Sequence, residues 1–189
     1  MRPLRSLIVG FVVLLGARSA SASLVVAMDL PTMVERADHV AVVDVMSVKS
    51  AWDDRHERIL TTIDLAVVES WKGTATPASH VSLVQKGGTV GDTTMTVFGM
   101  SRFTQGERAL VFLAGPLDHA RVVGMSQGKR IVKKDVATGR WMVNVPDRAG
   151  AAFVRPNPGA PSPVFETRAR TIEDLRAEIK ALATSGKGR

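Results

Sequence analysis

Six uncharged residues, Ala109 to Ala114, run between Arg108 and the turn-forming pair Gly115-Pro116. Strand spacing places Ala109, Val111 and Leu113 on one face and Leu110, Phe112 and Ala114 on the other, and both faces are apolar. A strand that is apolar on both sides must be covered on both sides, so it belongs in the middle of a sheet. Six residues is also strand length, short for a buried helix. The approach from Gly99 to Glu107 is turn-like and punctuated by glycine. This stretch constrains the fold strongly and the chemistry very little.

The elements around it read as mainly β. Asp29 to Ala37 predicts a short helix, with Asp29 as its cap, Pro31 in its first turn and Leu30, Met33, Val34 and Ala37 on one face. His39 to Val48 and Ile59 to Trp71 predict two strands of a hairpin, joined by the charged loop Trp52 to Arg58. Further strands are expected at Val81–Gln85, Thr93–Phe98, Arg121–Val123, Arg130–Val136 and Trp141–Val143, separated by glycine- and proline-bearing turns. Seven or eight short strands with regular turns point to a sandwich or barrel spanning 23–145. Five of the nine prolines fall between Pro146 and Pro163, so 146–170 reads as an extended linker. Thr171 then opens an amphipathic helix over 171–184, with Ile172, Leu175, Ile179 and Leu182 as its apolar stripe, followed by a tail at 185–189.

The N-terminus carries an address rather than a fold. Met1 to Arg5 is basic, Leu7 to Leu15 is apolar, and Ala20-Ser21-Ala22 fits a small-x-small cleavage site, so 1–22 reads as a secretory signal peptide. Arg18 interrupts the apolar run well short of the ~20 residues that a membrane span requires. The expected product starts at Ser23, is exported to the periplasm or the medium, and keeps no stable membrane span. Loss of Arg2, Arg5 and Arg18 lowers the net charge from +7 to +4, which weakens an argument for nucleic-acid binding from basicity alone. With no cysteine there is no disulfide framework.

Several of these segments resemble netrin-type modules, the group that includes the tissue inhibitors of metalloproteinases. Arg36 to Val45 resembles their first strand, Val67 to Gly73 their second strand with its Lys-Gly turn, and Phe103 to Phe112 their later G-x-x-Y-L-V-F strand. Arg108 to Phe112, with Gln127-Gly128-Lys129 after it, also resembles a segment of exported bacterial proteins of this kind. The resemblance spans Ala37 to Val143. It implies an OB-type antiparallel β-barrel of five strands with added hairpins. The inhibitors grip a protease zinc through an N-terminal cysteine; this chain has none, so that mechanism is not implied.

No motif carries a convincing reaction. Gly124-Met125-Ser126-Gln127-Gly128 matches G-x-S-x-G, but a nucleophile elbow needs a helix after the serine, and the following residues read as a strand. The last histidine, His119, lies upstream of Ser126, against the usual order. Asp53, Asp54 and His56 could approach a cation but lack ligand spacing, and Gly87 to Asp92 is not a phosphate loop. The expectation is therefore no catalytic set, metal or cofactor. Two binding readings remain. One is a protein partner met by loops Ala51–Arg58 and Thr74–Ser79, with Trp52, Asp53, Arg55 and Trp71 as contacts; the three tryptophans, Trp141 included, either close the barrel ends or leave one exposed as a partner's anchor. The other is a polyanion held by Lys129, Arg130, Lys133 and Lys134.

Overall fold

The computed structural model of the chain describes residues 24–147, 149–154, 159 and 166–185. The expected signal peptide, parts of the proline-rich segment and the last four residues lie outside them. The elements are β1 (Leu24–Val26), α1 (Leu30–Arg36), β2 (His39–Trp52), β3 (Ile59–Lys72), β4 (His80–Lys86), β5 (Gly88–Val90), β6 (Thr93–Met95), β7 (Arg108–Ala114), β8 (Arg121–Val122), a 3-10 turn (Met125–Gly128), β9 (Lys129–Lys134), β10 (Trp141–Val143), β11 (Ala152–Val154), β12 (Arg170–Thr171) and α2 (Ile172–Ser185). The protein is mainly β.

The main sheet runs β12-β10-β9-β7-β2-β3-β4, with β8 also on β7. Every pairing in it is antiparallel. The doubly apolar strand β7 lies inside, between β2 on one side and β8 and β9 on the other, and Ala109 to Leu113 are all buried. One of its faces, with Leu110 and Phe112, packs with Val40, Val42, Val132 and Val143 beneath both helices. The other, with Ala109, Val111 and Leu113, meets Ala41, Val43, Val45, Ile63, Leu65, Val67, Val81 and Leu83. Among the described residues no helix contributes to that second cluster; the sheet curls until β4 reaches Ala120, and Ala75, Phe103 and Leu117 from the loops complete the cover.

The curl does not make the expected closed barrel. The hydrogen-bonded order is open, with β4 and β12 at its edges. One parallel bridge, Leu83 to Ala120, and the bonds Ser82 N–H to Leu117 O (2.9 Å) and Ala120 N–H to Ser82 O (3.2 Å) tie β4 to the segment entering β8. After seven residues of β4 the chain turns away into the separate β5–β6 hairpin, so no ladder forms to complete the ring.

Bulges set which residues face which core. Val67 pairs with Val43 and Glu69 with Val42, leaving Val68 as an extra residue; Ser70 pairs with Ala41 and Lys72 with Val40, leaving Trp71 extra. Each insertion re-aims the side chains that follow. Trp71 consequently joins the core under the helices. Lys72 reaches the end of α1 and donates to Val34 O (2.7 Å) and Ala37 O (2.6 Å), carbonyls left without helical partners. Gly73 turns the chain at φ +94; a Cβ there would sit 2.3 Å from His39 Nδ1. At the other end of α1, the Asp29 carboxylate accepts from Thr32 N–H at 2.9 Å. α2 buries Ile172, Leu175 and Ile179 against the same face of the sheet.

The segment read as a linker is partly structured. Ala152–Val154 pairs in parallel with Leu24–Val26, and Arg170–Thr171 pairs with β10.

Candidate binding surfaces

The four residues expected to meet a protein partner do not form one surface. Trp52 and Trp71 stand at opposite ends of the β2–β3 hairpin. The loops Ala51–Arg58 and Thr74–Ser79 are likewise at opposite ends of β3, because β4 runs back antiparallel to it. Trp71 is only 5% exposed, packed in the helix-side core with the Arg176 guanidinium 5.8 Å from its ring centroid. It is a core residue, placed there by the bulge at its own position. Trp52 is half-buried and stacks on His56, centroids 6.2 Å apart. Asp53 folds the loop inward: its Oδ1 accepts from Glu57 N–H (2.8 Å) and Arg58 N–H (3.2 Å), and these bonds hold its pKa below the ordinary value. Arg55 is exposed at the tip.

The basic cluster also divides. Lys129, 8% exposed, pairs with Glu107 at 2.6 Å and lies over the Phe103 ring at 4.9 Å. Arg130, 3% exposed, pairs with Glu166 and sits 5.4 Å from the Phe112 centroid. Only Lys133 and Lys134 are exposed, and successive strand residues point to opposite faces. The four do not make one basic patch, because two of them are themselves buried and paired with half-buried carboxylates.

Ser126 lies buried in the 3-10 turn, with Gly124 and Met125 in left-handed conformations before it and β9 directly after that turn. The strand–turn–helix of a nucleophile elbow is not what surrounds it. Among the described residues no group of three or more His, Asp or Glu converges as metal ligands, and no helix is long and apolar enough to cross a membrane.

Another set of side chains does come together. Arg108 on β7 donates to Asp44 on β2 through Nε (2.7 Å) and Nη2 (2.8 Å), a two-pronged pair. The same guanidinium lies 5.2 Å from the ring centroid of Trp141 on β10, which is 37% exposed. Met46, the extra residue of a third bulge, stands 55% exposed. Asp44, Met46, Arg108 and Trp141 line one shallow depression with a volume of about 480 Å³, alongside Gln105 and Gly106. The sequence held a hint of this: Asp44 interrupts a row in which Val40 and Val42 are buried. Of its partners, Trp141 stood out only as one of three tryptophans, and Arg108 had no local signature.

The hydrogen bonds from Arg108 hold the Asp44 carboxyl below its usual pKa. A depressed carboxylate contributes stability that is complete above its unfolded value, about 3.9, and fades as pH falls through the lower folded value. Asp44→Asn should therefore lose less stability than the wild type between pH 7 and pH 3, measured as the shift in urea midpoint. Equal shifts would mean that the pair is not linked to folding.

No protein-family model, curated protein or solved structure matches this chain.

Proposed function

We propose that this is an exported, non-enzymatic module that binds a protein partner outside the cytoplasm, on a scaffold related to the OB-type, netrin-like barrel but left open. Export is read from the N-terminal address at 1–22. The netrin-like relation rests on the strand segments between Ala37 and Val143. The observation that carries the binding reading is Trp141, exposed yet already ordered by Arg108, with Met46 beside it. Tryptophan, arginine and methionine are the side chains enriched in protein interfaces, and tryptophan and arginine dominate their energetic centres. Because Asp44 fixes Arg108 and Arg108 fixes the ring, little side-chain freedom is left to lose on association.

The experiment is affinity capture from exported proteins of the source cell, with wild-type and Trp141→Ala chains as parallel baits. A protein retained by the wild type at high salt should be recovered at least tenfold less with Trp141→Ala, a loss in keeping with the ~2 kcal/mol or more of an interface anchor. Equal recovery by both baits would remove the patch from the reading. Capture that vanishes at high salt would indicate charge alone.

A further inference from the structure

We infer that the open mouth of the curled sheet is a binding site for an acidic sugar, a saccharide unit bearing a carboxylate or phosphate. This inference is independent of the Trp141 patch. The mouth is a cavity of about 510 Å³ between the far end of the β2–β3 hairpin, the end of β4, the β5–β6 hairpin and residues 96–104. That volume is in the range of small-molecule sites, about 300–1,000 Å³.

Its lining has an unusual balance. Among the described residues, seven serines and threonines contribute, together with Gln85, Lys86 and Arg102, and no aspartate or glutamate does. Lys86 and Arg102 are exposed, and neither side chain has an ion-pair or hydrogen-bond partner among the described residues. Lys129, which lies over the ring of the lining residue Phe103, behaves differently, because it is spent on Glu107. Among the described residues that line it, the mouth therefore carries two unpaired positive charges and no carboxylate.

The polar groups are also pre-set. Thr61 Oγ1 donates to Gly87 O at 2.5 Å, so its proton is committed. Ser50 Oγ, 2.8 Å from Thr61 Oγ1, must then supply the proton of that contact, which leaves the Ser50 oxygen as an acceptor. Gln85 Nε2 donates to Ser101 O at 3.1 Å, leaving its Oε1 as an acceptor. Gly88 holds the β5 backbone against this pair: a Cβ there would meet Ser50 Oγ at 2.3 Å and Thr61 Oγ1 at 2.4 Å. Fixed acceptors suit the hydroxyl donors of a sugar, Lys86 and Arg102 suit its acid group, and the partly exposed Val48 and Phe103 offer an apolar floor for its C–H face. A nucleic acid fits less well. Single strands are held on successive aromatic platforms, and among the described residues Phe103 is the only aromatic in the lining, with Lys129 already on its ring.

The test is calorimetric titration of the purified exported chain with four probes: a tri-uronate, its methyl ester, glucose 6-phosphate and a single-stranded oligonucleotide. The tri-uronate or the sugar phosphate should bind, and whichever binds identifies the acid group. The neutral ester should bind at least tenfold more weakly than the acid. Lys86→Gln with Arg102→Gln should weaken binding at least tenfold with an unchanged unfolding midpoint, because both side chains are exposed. Ser50→Ala should weaken it several-fold without altering its salt dependence. Absence of binding by both acidic sugars would overturn the inference. So would equal affinity for acid and ester, undiminished binding by the double variant, or a preference for the oligonucleotide.

Discussion

Phe112→Ala is expected to destabilise the fold by about 3–5 kcal/mol, the usual cost of emptying a fully buried aromatic site. Phe112 is among the largest side chains with no exposure, on the strand that has neighbours on both sides and cores on both faces. Its ring fills the helix-side core and also faces the Arg130 guanidinium at 5.4 Å. Truncation thus removes apolar burial and one neighbour of a buried cation together. Against a total stability of about 5–15 kcal/mol, that is a large share. The check is urea unfolding: the midpoint should fall steeply with little change in slope. Phe98→Ala is the control, since Phe98 is 45% exposed and surface substitutions typically stay within about 0.5 kcal/mol. If the two variants cost the same, β7 is not the centre of the fold.

The centrality of β7 was legible because it is a local property: six residues with no polar face admit few positions in a sheet. The alternation of Ile63, Leu65 and Val67 was equally local, and all three are buried in one core. Face assignments failed where the backbone departs from period two. The insertions at Met46, Val68 and Trp71 leave no mark in composition, yet they decide that Trp71 is core and Met46 is surface. Basic residues misled for another reason. Lys129 and Arg130 read as contacts for a polyanion, and only the fold brings up Glu107 and Glu166 to pair with them. Nor could alternation show that β1 would find a parallel partner in Ala152–Val154, more than a hundred residues away and inside a proline-rich segment. The candidate sites share this character. The Asp44, Arg108 and Trp141 cluster joins three strands, and the mouth cavity joins the ends of several, so neither follows from any single stretch of sequence.

Glu166→Ala is the second large effect, again about 3–5 kcal/mol, because removing one member of a buried ion pair strands the other. The Arg130 side chain is 2% exposed and its Nε already lacks a partner. Burial pushes its pKa down, but arginine cannot shed its proton near neutral pH, so the charge cannot be avoided. Arg170 also contacts Glu166, yet it keeps Glu178 at 2.7 Å and is more exposed, so the burden falls on Arg130. The distinguishing variant removes both charges. Arg130→Met with Glu166→Leu replaces the pair with apolar volume, and such replacements are commonly neutral or stabilising. A double-mutant cycle by urea unfolding should then show the double variant near wild type and the Glu166→Ala single variant far below it. That pattern would identify Arg130 as a cation tolerated only because Glu166, from the segment leading into α2, closes over it. Should Glu166→Ala cost less than about 1 kcal/mol, water reaches Arg130 and the segment at 166–171 is not the cover that its contacts describe.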